Sequence, residues 1–566
     1  MVHLTVVDTN FAYALINYRI PAKIQQLKNC VLTVVNLPVC HPTSGDTPVA
    51  PVPRGSRMAV VLAAENAKEW SYRGEGAVNL VLAYSGESPS FVGKVLRIQK
   101  VPRNVSQCEN GHSGLTRLEC HLWRNVNELV SAPSREIADH IFVRLVMCPL
   151  LGSRYVDAGI RIPVSREFLE AVEKNVLHQR PSWRVDAAKV NLLSDSAMLM
   201  SDHSMFPHGT LKEEFCLSVE IKPKCGFLPH SEFVAESNAV KRRFTRFRMH
   251  QALKFHQGKV FFASSKISTR YNALPETFLF RNSVDSELFL GFMFSISHLN
   301  PCFRVSVLIS HTSMCFLPSL YQISYISGYD PLDFFSGSKE RLHKAIKDLF
   351  MTPQNNFRVF LNGCLILGGL GGVADTTSSK VGQAFDDALK DKILAGEGMR
   401  TECFLELVSE AVLSSGLPAQ ILEVQKLDNF DIEGAIHAYY DVVSQPCKIC
   451  KELGDHLSKR FTALHSMSME DSLKIVRDYL IAATAKDLSM MISLRPRIDA
   501  NRESPYSFVS LKSTNQNFDY KASCIDLDLK PLERMEYYYE LDQEIVSCYR
   551  EMVKADCQLG NTGSIT

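Results

Sequence analysis

Val219-Glu220-Ile221-Lys222-Pro223-Lys224-Cys225-Gly226-Phe227 is the stretch on which the reading of this chain turns. Leu217, Val219 and Ile221 alternate with polar neighbours, which predicts a strand, and Pro223 and Gly226 end it. On a strand Glu220, Lys222 and Lys224 share one face. Two ammonium groups held side by side repel unless an anion lies between them. The plainer alternative is a solvated edge strand, where lysines guard against unwanted pairing.

Outward from this stretch, Trp70–Tyr84 reads as strand, glycine turn, strand, with Gly74 and Gly76 in Arg73-Gly74-Glu75-Gly76. Phe91–Ile98 reads as a further strand, with Val95 and Arg97 on one side. A helix is expected over Lys241–Lys254, stacking Arg246, His250 and Lys254 at i, i+4 and i+8. A helical run is expected over Ser336–Leu349, then Asn355 and Asn356 before a strand at Phe357–Leu361, and a mobile glycine-dense loop at Gly363–Gly372. Asp471–Ala485 carries a helical apolar stripe ending at Ala485-Lys486-Asp487, and strands follow at Met490–Leu494 and Phe518–Leu529. Lys530, Arg534 and Tyr538 again repeat at helical spacing. His437, Cys447-x2-Cys450 and His465 supply two imidazoles and two thiols, with His456 as a competitor; the pair of cysteines has zinc-knuckle spacing, or is a pair of ordinary thiols.

The E-I-K-P-K and C-G-F blocks, with Arg73–Gly76, Ser182-Trp183-Arg184-Val185, Met249-His250-Gln251, Pro353–Arg358, Ala485–Asp487 and Ile525–Leu532, resemble the plant inositol-pentakisphosphate 2-kinases over most of Met58–Tyr549. The resemblance implies a two-lobed α+β or α/β kinase-like fold: a small nucleotide-binding N-lobe at 58–200 and an enlarged inositide-binding C-lobe at 201–549. It implies ATP, Mg2+ and a structural Zn2+ as cofactors, and inositol pentakisphosphate as substrate. Asp487 and Lys222 would be catalytic. Nucleotide contacts would come from Gly74, Gly76, Asn79, Val95, Arg97, Asp202, His203, Glu220, Met491 and Asp526, with Asp526 also on magnesium and Asp528 assisting. Inositide contacts would come from Arg103, Arg184, Lys222, Lys224, Arg246, His250, Lys254, Asn356, Lys530, Arg534 and Tyr538, with Asn355 as a companion to Asn356. Zinc would take His437, Cys447, Cys450 and His465. Kinase analogy pairs Glu128, in the expected helical run Leu122–Val130, with Arg97. The family's paired arginines appear here as Pro102-Arg103, and Ser201 replaces a more usual asparagine.

Val260–Gln322 interrupts the resemblance. It is read as a disordered insert from a retained intron or gene-model error, against the alternative of a genuine lineage-specific insertion. Residues 1–57 are read as a disordered or mispredicted extension and 550–566 as a disordered tail. Across 566 residues, 46% hydrophobic and 22% charged content is that of an ordinary globular chain, and the net charge of +1 means that any strong anion site must be local. That balance, without interleaved basic and aromatic residues, weighs against a zinc-stabilised nucleic-acid module. Sixteen cysteines, mostly isolated, fit a reducing compartment, the cytoplasm or nucleus. No span of about 18 apolar residues is expected to cross a membrane; a monomer is expected. Five phosphomonoesters carry roughly −8 to −10 at neutral pH, which only a crowded cationic pocket can offset. The rival reading is an inositide-binding protein whose catalysis the 260–322 segment impairs.

Overall fold

Two antiparallel sheets carry the structure. In the first, β1 (Trp70–Glu75), β2 (Asn79–Tyr84), β3 (Lys94–Pro102), β6 (Ser196–Ser201) and β4 (Ile160–Pro163) run in the order β1-β2-β3-β6-β4, and β5 (Ala188–Val190) pairs with the end of β3. In the second, β7 (Leu217–Ile221), β8 (Phe357–Leu361), β9 (Cys364–Leu367), β10 (Ser489–Pro496), β11 (Ser507–Leu511) and β12 (Gln516–Ile525) run in the order β11-β12-β10-β7-β8-β9. The helices that matter below are α1 (Arg135–Phe142), α2 (Arg166–Val176), α3 (Ser182–Ala187), α4 (Arg246–His256), α5 (Lys339–Met351), α6 (Arg400–Ser415), α7 (Asp431–Val442), α8 (Lys448–Ser458), α9 (Met469–Asp487) and α10 (Arg534–Thr562). This computed structural model describes residues 61–103, 114–206, 215–257, 327–368, 379–497 and 504–562. The expected extension at 1–57 and insert at 260–322 lie outside the described residues.

Strand β7 is central, paired to β10 on one side and β8 on the other, so the edge-strand alternative does not hold. Every residue of Leu217–Ile221 is buried, including Ser218 and Glu220. The strand ends at Ile221, however. Lys222 and Lys224 lie beyond it, and Lys224 has a left-handed backbone (φ 63°). Their shared direction comes from the turn rather than from strand alternation.

A small apolar cluster covers the first sheet: Leu80, Leu82, Leu96 and Ile98 pack on Phe168, Leu169 and Val172 of α2. The larger cluster joins the second sheet to its helices and takes in Leu115–Val156, a segment expected in the smaller lobe. Cys524 donates its backbone N–H to Tyr155 O at 2.7 Å, tying that segment to β12. Among the described residues no helix is long and apolar enough to cross a membrane.

Five other expectations are corrected. Lys241–Lys254 is not one helix: a 3-10 turn over Glu236–Arg242 is followed by a break, and α4 starts after the Thr245 cap, whose hydroxyl accepts from Arg248 N. Leu122–Val130 is split between two short helices. Gly363–Leu367 forms a hairpin turn and β9 rather than an open loop. The expected tail is helical in α10 as far as Thr562, and Lys530 precedes that helix instead of sharing its stripe.

Candidate active site

The register of the second sheet brings the site together. Ile221 pairs with Phe357 on β8 and with Met490 on β10, while Ser489 pairs with Ile525 on β12. One end of the sheet therefore gathers Lys222, Asn356 and Asp526 from the ends of β7, β8 and β12, and Asp487 from the end of α9 just before β10. Lys222 N donates to Asn356 O at 2.9 Å, extending the ladder by one rung. One register further in, Glu220 lies between Met491 and Arg358.

Each carboxylate at this end faces a cation. Lys222 Nζ lies 2.7 Å from Asp526 Oδ2, while Lys224 Nζ and Lys530 Nζ lie 3.2 and 3.0 Å from the two oxygens of Asp487. Arg97 is paired with Asp528, and Asn79 lies against both. Arg358 Nη1 donates to Glu220 Oε2 at 3.0 Å, and Ser489 Oγ bridges Glu220 (2.9 Å) and Asp526 (3.3 Å). Asp526 joins Lys224 in having positive φ (63°), a costly conformation for a non-glycine residue and one that concentrates at functional sites.

Desolvation in the cleft opposes ionisation of Asp487, but Lys224, Lys530 and Lys222 outweigh it and hold the carboxyl well below its ordinary range. Asp526 is lowered in the same way, burial being overcome by Lys222. The lysines diverge: burial pushes Lys224 down despite Asp487, whereas Lys222, also desolvated, is raised by Asp526 and Glu220. Of these two lysines, Lys224 is the one less compensated by its surroundings. Asn356 is buried, and neither atom of its side-chain amide has a hydrogen-bond partner among the described residues.

An open cleft joins this sheet end to the first sheet; Asn79, Arg97, Asp139, Met198, Met200, Asp526 and Asp528 line it. Of the two glycines expected at the turn, Gly74 lies inside β1, paired with Val81, and only Gly76, whose N–H donates to Asn79 O at 2.9 Å, lies in the turn; a Cβ on either would meet nothing within 4 Å. Val95 lies two residues before Arg97 on β3. Asp202 and His203 follow β6, and burial pushes the His203 imidazole down to about 4, so the ring is neutral.

The remaining inositide candidates fall in three groups. Arg534 lies over Tyr537, and the Tyr538 hydroxyl, raised by burial, senses the charges of Lys530, Arg534 and Asp487. Arg246 Nε pairs with Asp542 at 3.2 Å, and His250 and Lys254 follow on α4. Arg103 and Arg184 are held within the first sheet's surroundings. Arg103 Nε donates to Val185 O at 2.8 Å, and Arg184 stacks on Trp183 at 4.0 Å. Glu128 does not meet Arg97. It pairs with Arg144 on the surface, because its short helix stands apart from β3; the acid on Arg97 is Asp528.

Three features escaped sequence reasoning. Arg358 has no local signal, since its role depends on pairing across to β7. Gln425, fully buried, donates to Lys224 O (2.8 Å) and Ala485 O (3.1 Å) and accepts from Gly226 N (2.8 Å), pinning the Lys224 turn to the end of α9. Glu75 receives Lys100 and a two-pronged Arg180 (3.0 Å each), a buried trio tying the glycine hairpin to the segment of Arg184.

His437, Cys447, Cys450 and His465 come together with ligand atoms within 4.8 Å of one another. His437 Nδ1 is 3.3 and 3.4 Å from the two sulfurs and 3.2 Å from His465 Nε2. His456 is not in the group. A second acidic group, Asp431, Glu433 and Asp542, is filled by the Lys241 ammonium at 2.5 to 3.2 Å.

Asp139 on α1 faces the same cleft. Burial, helped by Asp528 and opposed by Arg135 and Arg97, pushes its carboxyl up to about 7. In the unfolded chain it ionises near 4, so the folded state holds an extra proton between those values, and stability falls as pH rises through that window. Asp139→Asn is expected to flatten the decline of melting temperature between about pH 4 and pH 7 by a few degrees. An unchanged slope would place the titration elsewhere.

Against known proteins, a sequence model of the family described as inositol-pentakisphosphate 2-kinase matches residues 72–544. The inositol-pentakisphosphate 2-kinase of Arabidopsis thaliana is 48% identical over 511 residues, covering 89% of this chain and 99% of that protein. Its namesake in Oryza sativa subsp. indica is 42% identical over 494 residues (87% and 96%), and that of Danio rerio 25% over 553 (86% and 94%). Family match and relatives together span the same sheet end and cleft: this chain belongs to the inositol-pentakisphosphate 2-kinase family.

Proposed function

We propose that this chain transfers the γ-phosphoryl group of ATP to the 2-hydroxyl of inositol 1,3,4,5,6-pentakisphosphate, giving inositol hexakisphosphate (phytate) and ADP. The observation that carries the reading is the pair of carboxylates at one sheet end, each beside a lysine: Asp487 with Lys224 and Lys530, and Asp526 with Lys222. Asp487 accepts the proton of the 2-hydroxyl as its oxygen attacks the γ-phosphorus, and the bond to the bridging oxygen of ADP breaks. Lys222 faces the transferred group. Asp526, with Asp528 nearby, would hold Mg2+, which would offset phosphate charge there. Gly74, Gly76, Asn79, Val95, Arg97, Asp202, His203 and Met491 surround the nucleotide, with Glu220 holding Arg358 toward it.

Lys224, Arg246, His250, Lys254, Asn356, Lys530, Arg534 and Tyr538 form the anion pocket, which Arg103 and Arg184 would join only by leaving Val185 O and the Trp183 ring. An anion gains most from Lys224, whose charge burial disfavours. The unpartnered amide of buried Asn356 is suited to phosphate or hydroxyl oxygens. The two-sulfur, two-nitrogen cluster fits Zn2+, since four of its donor–donor distances are 3.2 to 3.4 Å, all lie within 4.8 Å, and His465 Nδ1 is braced by Asp441 at 2.9 Å. With four protein donors such a site is structural.

Radiolabelled ATP and inositol pentakisphosphate test the reading, with product resolved from substrate by anion-exchange chromatography. The chain without Val260–Gln322 is expected to form hexakisphosphate at least as fast as the full chain. Inositide binding without product in both forms would favour the non-catalytic binder.

A further inference from the structure

β1 contains one residue that its partner strand does not accommodate. Tyr72 pairs with Leu82 and Gly74 with Val81, leaving Arg73 as the extra residue of a bulge. Bulges re-aim a side chain, and this one sends the guanidinium away from its own sheet. Its Nη2 lies 2.5 Å from Asp202 Oδ2, in the segment after β6. Asp202 is buried and already fixed, since its other oxygen accepts from the backbone and hydroxyl of Ser204 at 2.9 and 2.5 Å.

The other side of the guanidinium meets the second sheet. Asn362 and Gly363, both with positive φ (47° and 77°), form the turn between β8 and β9. Asn362 and Cys216 exchange two 2.8 Å hydrogen bonds, so the turn is anchored at the start of β7. A Cβ on Gly363 would fall on the Arg73 guanidinium. The missing side chain therefore serves two ends: the turn conformation and the room for an arginine from the other sheet.

We propose that Arg73 is a positioning residue, a strut that sets where the end of β1 and the turn at Gly76 stand relative to Asp202 and His203 and so fixes nucleotide affinity. This rests on the assignment of that cleft to ATP. Arg73 touches no reacting atom; it acts through the turn that follows it in sequence.

Steady-state kinetics on the full chain test this. Arg73→Ala is expected to raise KM for ATP about 10-fold while kcat and the inositide KM change by less than about threefold, with Arg73→Lys intermediate. Gly363→Ala, which displaces the guanidinium, is expected to raise KM for ATP about fivefold when Arg73 is present, and to add nothing to KM when combined with Arg73→Ala. The loss of melting temperature that Gly363→Ala causes through its positive φ appears with or without the arginine. Additive effects on KM, or an Arg73→Ala chain with lowered melting temperature and unchanged KM, would overturn the strut. Gly76→Val, open to a side chain but remote from the strut, separates the two failures. If it too leaves KM for ATP unchanged, the nucleotide assignment is at fault; if it alone raises KM, the strut is.

Discussion

Asp487→Ala is expected to lower turnover by about 10³-fold or more while ATP binding is kept. The carboxylate stands at the last residue of α9, held between Lys224 and Lys530. Those ammonium groups make it a weak but permanently ionised base at neutral pH, so no acid limb from this group should appear in kcat above about pH 5. Removing it leaves two desolvated cations facing each other. Inositide affinity is therefore expected to hold or to rise, because the phosphates become their only counter-charge. Asp487→Asn separates charge from shape: it should be nearly as inactive as alanine. Phytate formation within tenfold of the parent chain, measured by product chromatography, would remove Asp487 from the role of base.

Metal removal should be equally marked in stability. The Cys447 and Cys450 sulfurs and the His437 and His465 rings join α7, α8 and the short helix ending at His465. Without a cation, ring nitrogens and thiols face one another at 3.2 to 3.4 Å with few protons to share. A structural Zn2+ contributes its binding free energy directly to folding. Prolonged chelation, or Cys447→Ser, is expected to lower the melting temperature by about 10 °C or more. Elemental analysis should find one zinc per chain; its absence together with an unchanged melting curve would dismiss the site.

Local pattern carried much of this structure. The alternation at Leu217–Ile221 marked β7, the apolar stripe after Asp471 marked α9, and Asn355-Asn356 fell, as expected, just before β8. Spacing misled where a turn, not an element, aims a side chain. Lys222 and Lys224 were read as strand neighbours, yet Lys224 reaches Asp487 through a left-handed turn secured by Gln425. Lys241 was placed at the start of a basic helix but is buried among three acids, because Thr245 caps a new helix after it. Glu128 lay at a plausible distance in sequence from Arg97, but pairing is decided in space, and Asp528 arrives from beyond the end of β12. Arg358 and Gln425 were invisible for the same reason: each has a partner more than a hundred residues away.

That wide separation has a consequence for biosynthesis. β7 at Leu217–Ile221 is hydrogen-bonded to a strand that begins at Ser489, and Asp526 and Lys530 come later still. Non-local strand pairing is slow, and domains form as the ribosome releases them from the N-terminal end. The glycine hairpin can be complete while the chain is still being made, but the anion pocket cannot exist until nearly the last stretch has emerged. A prematurely terminated product therefore has no partial activity to offer the cell, and its exposed central strand becomes a target for chaperones or proteases.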